Sequence, residues 1–167
     1  MGDPVDDSEE PDQPVARTAR YFGGPYRYVT PLPFVPRHFE RGHLDNAAAA
    51  ELLSVARNNY FGEAIGWPGI GADSIWTSVR RVLIEYESEA WGDELLLAGV
   101  RAVNRTNRTV HLDQAIWTAE SGREVVRCQT VVVTFDVRLR LAVPIPAEFW
   151  TLIDKFDGPM PRWPMES

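Results

Sequence analysis

A helical pattern of apolar positions begins just after Asp45. Residues 46–61 contain neither glycine nor proline, and their apolar side chains recur at steps of three and four, which forms one face of a helix. These side chains are Ala49, Leu52, Leu53, Ala56 and Tyr60. Asp45 is a suitable N-cap because its carboxylate can accept from the unpaired N–H groups of the first turn. The pattern therefore predicts one long helix over residues 46–61.

After residue 75 the apolar positions alternate with polar ones, which is typical of strands with one buried face. The β-branched residues that favour strands are frequent there. The pattern predicts four strands, at residues 76–87, 95–103, 110–119 and 125–143. The turns between them are short, so successive strands are expected to pair antiparallel. A short helix over residues 147–156 is expected to end the folded region.

The two ends of the chain differ from this middle region. Residues 20–36 hold aromatic side chains and four prolines, which favours an irregular edge strand. Residues 1–19 carry many acids and few large apolar groups, so we predict a disordered acidic tail, and residues 158–167 are predicted to form a C-terminal tail. We therefore expect one α+β domain over residues 20–157, in which a curved antiparallel sheet wraps around one long helix.

Composition and charge limit the classes of partner. The 167 residues include 24 acidic and 17 basic side chains, giving a net charge of −7 at pH 7. A nucleic-acid surface needs clustered Lys and Arg, so this balance argues against a nucleic-acid partner. No run approaches the roughly 18 consecutive apolar residues of a membrane span. The one cysteine, Cys128, has no partner for an intrachain disulfide, and the acidic start is unlike a signal peptide, so we expect a cytoplasmic location.

The sequence lacks the motifs of several common enzyme classes. Its three histidines, His38, His43 and His111, are not spaced as metal ligands with one another or with a cysteine. It contains no Gly-x-Ser-x-Gly elbow, phosphate-binding loop or dinucleotide fingerprint. We therefore predict neither a metal nor a cofactor.

Several short motifs occur in an order that resembles one known family. Residues 42–47 (Gly-His-Leu-Asp-Asn-Ala) are similar to the Gly-His-Val-Asn-Asn-Ala signature at the start of the central helix of the hotdog-fold thioesterases, of the 4-hydroxybenzoyl-CoA and acyl-CoA thioesterase type. The other similar segments are residues 56–57, 82–87, 92–95, 133–136 and 144–146. The resemblance covers roughly residues 26–157 and implies the hotdog fold.

The resemblance also implies an activity and an assembly. The family hydrolyses acyl thioesters, carried by CoA or by an acyl carrier protein, and works as a homodimer or a dimer of dimers. Two sheets join edge to edge, and the acyl chain enters between the protomers. The thioester carbonyl lies at the N-terminus of the central helix, where unpaired N–H groups and the positive end of the helix dipole stabilise the oxyanion. A carboxylate then acts as general base or nucleophile.

The resemblance further indicates which residues form the site. Asn46 matches a signature position that faces the thioester in relatives, and Asp45 lies beside it. Many family members carry an aspartate three residues before the signature glycine, but Phe39 occupies that position here and Glu40 follows it. We therefore expect Glu40 or Asp45 as the base, with Asn46 beside the oxyanion. The residues expected to contact substrate are Phe39, His43, Ala47 and Glu51, the last because some hotdog thioesterases use a helix glutamate.

These residues also have structural interpretations. Asp45 can serve as an N-cap alone, Glu40 can belong to a surface ion-pair cluster, His43 can bond to backbone, and Glu51 can lie on a solvated face. The alternative function is a hotdog protein that binds an acyl chain or acyl-CoA without hydrolysing it, which Phe39 in place of aspartate favours. A hydratase of the same fold would need an Asp–His pair in the hydratase arrangement, which the sequence does not offer.

Overall fold

The computed structural model describes residues 26–67 and 74–158 of the chain. The predicted tails, residues 1–19 and 158–167, lie outside these residues except for Gly158, as does the first part of the predicted edge strand. The described residues form six strands and two α-helices. Their arrangement, one long helix on a curved antiparallel sheet, confirms the predicted α+β fold class.

The long helix α1 spans Asn46–Asn59. It begins where expected, because Asp45 has extended backbone and its side chain accepts a hydrogen bond from the N–H of Ala47. Its last turn widens into a π-helical segment at Tyr60–Ala64, so the regular helix is two residues shorter than residues 46–61. Gly66 then adopts a φ of 71°, which lets the chain turn away.

The sheet follows the order β1-β3-β4-β5-β2, with β6 paired to the end of β5. All of its neighbouring strands pair antiparallel. The strand bounds are Tyr28–Pro31 for β1, Ile75–Tyr86 for β2, Leu96–Arg105 for β3, Thr109–Thr118 for β4, Glu124–Asp136 for β5 and Leu141–Val143 for β6. The expectation that successive strands pair is wrong for β2 and β3: β2 pairs with β5, because the connection after β2 bonds to the segment before α1 instead of forming a tight turn. Strand β2 therefore forms one edge of the sheet, and its two faces are largely exposed.

The core lies between α1 and the concave face of the sheet. Helix α1 packs over β3 and β4, and the small side chains of Ala48 and Ala49 are buried at this contact. A polar link crosses the apolar interface: the fully buried Gln114 donates to the carbonyl of Leu53 at 2.8 Å and accepts from the hydroxyl of Thr130 at 2.8 Å. These bonds fix the position of α1 relative to β4 and β5, because a buried amide without partners would cost about 1–3 kcal/mol.

The prediction of one strand over residues 125–143 is wrong. Strand β5 ends at Asp136, and β6 folds back onto it after a tight turn. The Asp136 carboxylate accepts from the N–H groups of Arg138 at 2.8 Å and Leu139 at 3.0 Å, and Arg140 adopts a φ of 56°. An aspartate that bonds to backbone just ahead of it favours a turn over continued pairing.

The segment before α1 contains less strand than expected. Of the described part of residues 20–36, only Tyr28–Pro31 forms a strand, which pairs with β3. A 3-10 helix at Pro36–Phe39 follows and leads directly into the loop before α1. This short helix matters for the site, because it holds the residues that precede the helix start.

The C-terminal helix α2 spans Ala147–Asp157, close to the predicted 147–156. Its apolar face packs on the turn after α1, with the ring of Phe149 at 4.7 Å from that of Trp67. At its end, Asp157 accepts from the N–H of Ala102 at 2.9 Å and from the hydroxyl of Tyr60. Strand β1 pairs with β3 only as far as Val100, so Asp157 takes the place of a strand partner beyond that point.

Candidate active site at the start of the long helix

The N-terminus of α1 is held in a defined conformation by bonds to the 3-10 helix. The Asp45 N–H donates to the carbonyl of His38 at 2.9 Å, and an Asp45 carboxylate oxygen accepts from the Ala47 N–H at 2.8 Å. Asp45 is half-buried, whereas Asn46 and Ala47 are exposed. The first turn of the helix, which is the positive end of its dipole, is therefore exposed. One of its N–H groups, that of Ala47, is already bonded to the Asp45 cap.

The loop that leads into α1 is held in place by bonds to Phe39 and to residues 90–91. Gly42 has a φ of 91°, which few other residues adopt, and its N–H donates to the carbonyl of Phe39 at 2.8 Å. His43 pairs as an isolated β-bridge with Trp91. The Leu44 N–H donates to the Ala90 carbonyl at 2.8 Å. The signature segment is thus tied to residues 90–91, which follow β2.

A cleft of about 200 Å³ opens on the β2 side of the helix start. It is lined by Leu44, Asn46, Ala49, Tyr86, Glu87, Ser88, Glu89, Ala90, Val125 and Val126. The hydroxyl of Tyr86 donates to the backbone carbonyl of Asn46 at 3.2 Å, so the end of β2 reaches the first residue of α1. The cleft brings together the N-terminus of α1, Asn46 and the acidic residues Glu87 and Glu89. Acyl transfer needs groups of these kinds, namely donors that stabilise an oxyanion and a carboxylate that can act as a base.

A second cleft, of about 230 Å³, opens on the opposite side of the helix start. Phe39 lines this cleft and stacks on Phe34 with ring centroids 5.6 Å apart. The C-terminal neighbour Glu40 is exposed and, among the described residues, makes no ion pair. Neither Phe39 nor Glu40 lines the cleft beside Asn46, so the structure separates both from Asn46.

Glu51 lies one and a half turns along α1 and faces the 3-10 helix. Its carboxylate pairs with Arg37 at 2.7 Å and with the buried His38 at 3.2 Å. The Arg37 hydrogen bond is the main cause that lowers the pKa of Glu51. A carboxylate with a lowered pKa is a weaker base. The two contacts of Glu51 connect the 3-10 helix to α1.

His43 lies at the rim of the first cleft with its ring half-exposed. Its Nδ1 lies 3.0 Å from a Glu89 carboxylate oxygen and 3.2 Å from the Leu44 carbonyl. The ring also makes an edge contact with Trp91. This pairing ties the carboxylate of Glu89, which lines the cleft, to the signature segment.

Of the residues expected from the sequence, Asn46 lines the first cleft. Asp45 and Ala47 are its neighbours in the chain at the helix start, and His43 is linked to the cleft through Glu89. The structure places Phe39, Glu40 and Glu51 elsewhere around the helix start. Sequence reasoning did not single out Tyr86 or Glu89. The alternation along β2 puts Tyr86 on the same side as the apolar Val82 and Ile84. This alternation in the sequence could have indicated that Tyr86 points toward α1.

The described residues contain neither a cluster of metal ligands nor a membrane-spanning helix. Within residues 26–67 and 74–158, no three His, Cys, Asp or Glu side chains converge as metal ligands. In the same ranges, no helix has the length and apolar character to cross a membrane.

The comparison with protein families gives one match. A family model described as the thioesterase-like superfamily matches residues 40–152, which run from Glu40 through most of α2. The matched region includes the helix start, the sheet from β2 to β6 and the cleft between them. No curated protein matches the sequence significantly.

Solved structures with the same fold include several thioesterases. A thioesterase from Thermus thermophilus, crystallised with coenzyme A and zinc, is 18% identical, with a TM-score of 0.69 over 80% of this chain and 96% of its own. A probable thioesterase from Escherichia coli is 20% identical, with a TM-score of 0.67 over 77% and 98%. A 1,4-dihydroxy-2-naphthoyl-CoA thioesterase from Synechocystis is 18% identical, with a TM-score of 0.67 over 79% and 97%. At these identities the likeness establishes the hotdog fold.

Proposed function

The chain belongs to the thioesterase-like superfamily, and on that premise we propose that it hydrolyses acyl thioesters carried by CoA or by an acyl carrier protein. The observation that carries this proposal is the cleft at the start of α1, where the family's signature segment opens onto free space beside Asn46 and Tyr86. The CoA complex of the Thermus thermophilus relative supports CoA as the carrier.

In the proposed reaction the thioester carbonyl lies against the first turn of α1. Attack on this carbonyl creates a negative oxygen, and the helix dipole with its unpaired N–H groups stabilises that charge. The exposed positions of Asn46 and Ala47 leave this end of the helix accessible. Asn46 is proposed to donate from its side chain to the oxyanion, while the Tyr86 hydroxyl holds the Asn46 backbone in place.

The base is proposed to be a carboxylate that activates water. Asp45 is favoured by its position beside Asn46, because one carboxylate oxygen caps the helix and the other remains to accept a proton from water. Glu40 is the other candidate. Neither carboxylate lines the cleft itself, but Asp45 adjoins Asn46, whereas Glu40 would need the loop at residues 40–42 to move. His43 is proposed to position Glu89 at the rim.

We propose that the active form is a homodimer, or a dimer of dimers, joined through β2. This strand is a sheet edge, and several of its large apolar side chains are exposed: Trp76, Val79, Val82, Leu83 and Tyr86. Exposed apolar edges are otherwise a liability for aggregation. A second copy on β2 would also close the cleft from water. The buried unpaired Cys128 fits a cytoplasmic location for this assembly.

The test compares kcat/KM for acyl-CoA hydrolysis among the wild type, Asp45→Asn, Glu40→Gln and Asn46→Ala. Asparagine caps helices about as well as aspartate, so Asp45→Asn removes the base and keeps the fold. Loss of the base is expected to lower kcat about 10²–10⁴-fold. Glu148→Gln, at an exposed carboxylate on α2, is the matched control. If both Asp45→Asn and Glu40→Gln hydrolyse at the wild-type rate, the assignment of the base is wrong.

A second candidate function is favoured by Phe39. This side chain packs on Phe34 in the second cleft, at the position where many relatives carry an aspartate. A chain without that carboxylate is suited to bind acyl-CoA without hydrolysing it. Binding of acyl-CoA with no thiol release by the wild type would establish this function, and thiol release would exclude it.

A further inference from the structure

An uncovered groove runs along the β2 side of α1. Helix α1 packs over β3 and β4 and reaches β2 at its first residue through the Tyr86 hydroxyl, so the helix-facing side of β2 is covered only in part by the described residues. Val82 remains 45% exposed and Tyr86 49% exposed on that side. We call this the β2 groove and define it by Asn46 and Arg57 on α1 and by Val82 and Tyr86 on β2. Its walls are apolar between the two polar ends at Asn46 and Arg57.

Arg57 lies in line with Asn46 on the helix surface. At about 100° per residue, the eleven steps from Asn46 to Arg57 bring Arg57 to within about 20° of Asn46, about 16 Å further along the axis. Contacts on the sheet agree with this placement. The Arg57 guanidinium lies near enough to the Cys128 side chain to interact with it electrostatically, and Cys128 lies opposite Ile84 of β2 in the sheet. The far end of the β2 groove therefore carries a guanidinium.

The charge of Arg57 is not balanced by a carboxylate in the described part of the chain. Its hydrogen bond is to the hydroxyl of Ser54 at 2.9 Å, which is a neutral acceptor. The side chain is half-buried, and burial lowers the pKa of Arg57, although an arginine stays protonated near neutral pH. A desolvated cation with unused donors favours an anionic acceptor, and the forked geometry of a guanidinium matches a carboxylate.

We propose that Arg57 binds a carboxylate at the far end of the acyl group, so that the protein prefers CoA thioesters of dicarboxylic acids. This inference rests on the proposed function, because it places the thioester carbonyl at Asn46 and the acyl chain along the β2 groove. The chain's methylene groups would contact Val82 and Tyr86, and its terminal carboxylate would pair with Arg57. Helical side chains tilt toward the N-terminus, so the carbonyl-to-carboxylate distance is shorter than the separation along the axis and suits acyl chains of medium length.

The test measures kcat/KM for matched pairs of substrates: the mono-CoA thioesters of octanedioic, decanedioic and dodecanedioic acids against octanoyl-, decanoyl- and dodecanoyl-CoA. The readout is the ratio of the diacid to the monoacid value at each length. A charge-assisted hydrogen bond predicts that Arg57→Met lowers this ratio about tenfold or more at the best length. Arg57→Lys keeps the charge and is expected to retain part of the preference.

Arg108→Met is the matched control, because Arg108 is exposed in the turn between β3 and β4, and it is expected to leave the ratio at the wild-type value. The proposal is overturned if Arg57→Met leaves the ratio unchanged, or if it lowers both kcat/KM values equally, which would indicate a role in folding, in the dimer or in binding CoA. Thermal unfolding checks that both methionine variants are folded.

A protein that hydrolyses none of these substrates would contradict the proposed function and not this inference. The same ratio is then taken from the Kd values of the diacid and monoacid CoA thioesters, measured by calorimetry. A ratio that favours the diacid and is lost in Arg57→Met supports the anion site. Equal Kd values in the wild type would rule it out.

Discussion

Asp45 combines a structural role and the proposed chemical one in a single carboxylate. One oxygen caps the first turn of α1 through the Ala47 N–H, and its own N–H is held by His38. The chain ahead of it is therefore positioned by the same residue that is proposed to activate water. Phe39, at the position where many relatives carry an aspartate, and its neighbour Glu40 do not line the cleft beside Asn46.

Among the described glycines, Gly99 is the one at which an added methyl group would make the closest contact. A Cβ there would lie 2.5 Å from Cγ of the Tyr26 ring, which stacks on Trp117 across the outer face of the sheet. Because the ring or the strand must shift, Gly99→Ala is expected to lower the free energy of unfolding by about 1–3 kcal/mol. Chemical denaturation measures this value.

Gly62→Ala is the control for that substitution. No atom lies within 4 Å of a Cβ built at Gly62, so the change is expected to be neutral or to stabilise by about 0.4–1 kcal/mol through the unfolded state. Equal stability losses in the two variants would contradict the close approach of Tyr26 to Gly99.

The sequence was sufficient for contacts that are local. The bond of Asp45 to Ala47 spans two residues, so the residue types alone predict it. The partners of Glu51 are thirteen and fourteen residues away, in a 3-10 helix that the sequence pattern does not indicate. Glu51 is expected to contact substrate because some hotdog thioesterases use a helix glutamate, and the sequence did not indicate its pairing with Arg37 and His38. Arg57 matched a family motif, but only the structure shows that no carboxylate among residues 26–67 and 74–158 pairs with it.

Helix α2 completes the sheet as well as the core. Beyond the end of β1, the edge of β3 presents the Ala102 N–H, and Asp157 accepts from it. The same carboxylate accepts from the buried Tyr60 hydroxyl. Burial is the main cause that raises the pKa of Asp157, and the two hydrogen bonds oppose it. The end of α2 is thus joined to β3 and to the π-helical end of α1 by one partly buried carboxyl group.

The raised pKa of Asp157 predicts a pH-dependent stability. The folded protein binds this proton more tightly than the unfolded chain, so the contribution of Asp157 to stability falls as pH rises from about 3.9, the ordinary value, through the raised folded pKa. Asn at position 157 cannot titrate and still offers an acceptor. The free energy of unfolding of Asp157→Asn minus that of the wild type is therefore expected to increase with pH across this window and then level off.

Chemical denaturation at a series of pH values measures this difference, with Glu148→Gln on the exposed side of the same helix as the control. A difference that stays constant or decreases with rising pH would show that Asp157 is not held in the environment described. The control is expected to show no such trend, because Glu148 is exposed.

Strand boundaries show where sequence patterns fail for whole elements. The period of two continues past Asp136, because Val137, Leu139 and Leu141 still alternate with charged residues. The chain nevertheless turns there, since the Asp136 carboxylate binds two backbone N–H groups and the turn lets β6 pair with β5. The hairpins β3-β4 and β4-β5 follow from short turns, and the helix position follows from one apolar helix face, so these were predictable. The pairing of β2 with β5 was not, because it joins strands that are distant in sequence.

The two edges of the sheet differ in how much of them other parts of the described chain cover. The β1 and β3 side is covered by Tyr26 and α2, whereas β2 leaves both a backbone edge and apolar side chains exposed. The candidate cleft and the β2 groove both lie on this unprotected side. A second copy of the chain placed there would bury the apolar side chains and enclose the site together.

Leu83→Lys is expected to convert the proposed dimer to monomer. Leu83 is 48% exposed on β2, and a charge buried at an apolar interface is costly. Sedimentation velocity measures the change in mass. Leu139→Lys is the matched control, because Leu139 is 64% exposed in the turn after β5, and it is expected to leave the mass unchanged. A wild type that sediments as a monomer at all concentrations would contradict assembly through β2.

The most direct measurement for the proposed thioesterase activity is the release of free CoA thiol, together with the free acid, from a panel of short, long, aromatic and dicarboxylic acyl-CoAs. The wild type is expected to release thiol and acid in equal amounts from at least one of them. Asn46→Ala is expected to slow this release while remaining folded. A pure, folded wild type that binds acyl-CoA and releases no thiol above the buffer rate from any of them would contradict hydrolysis and leave the binding function.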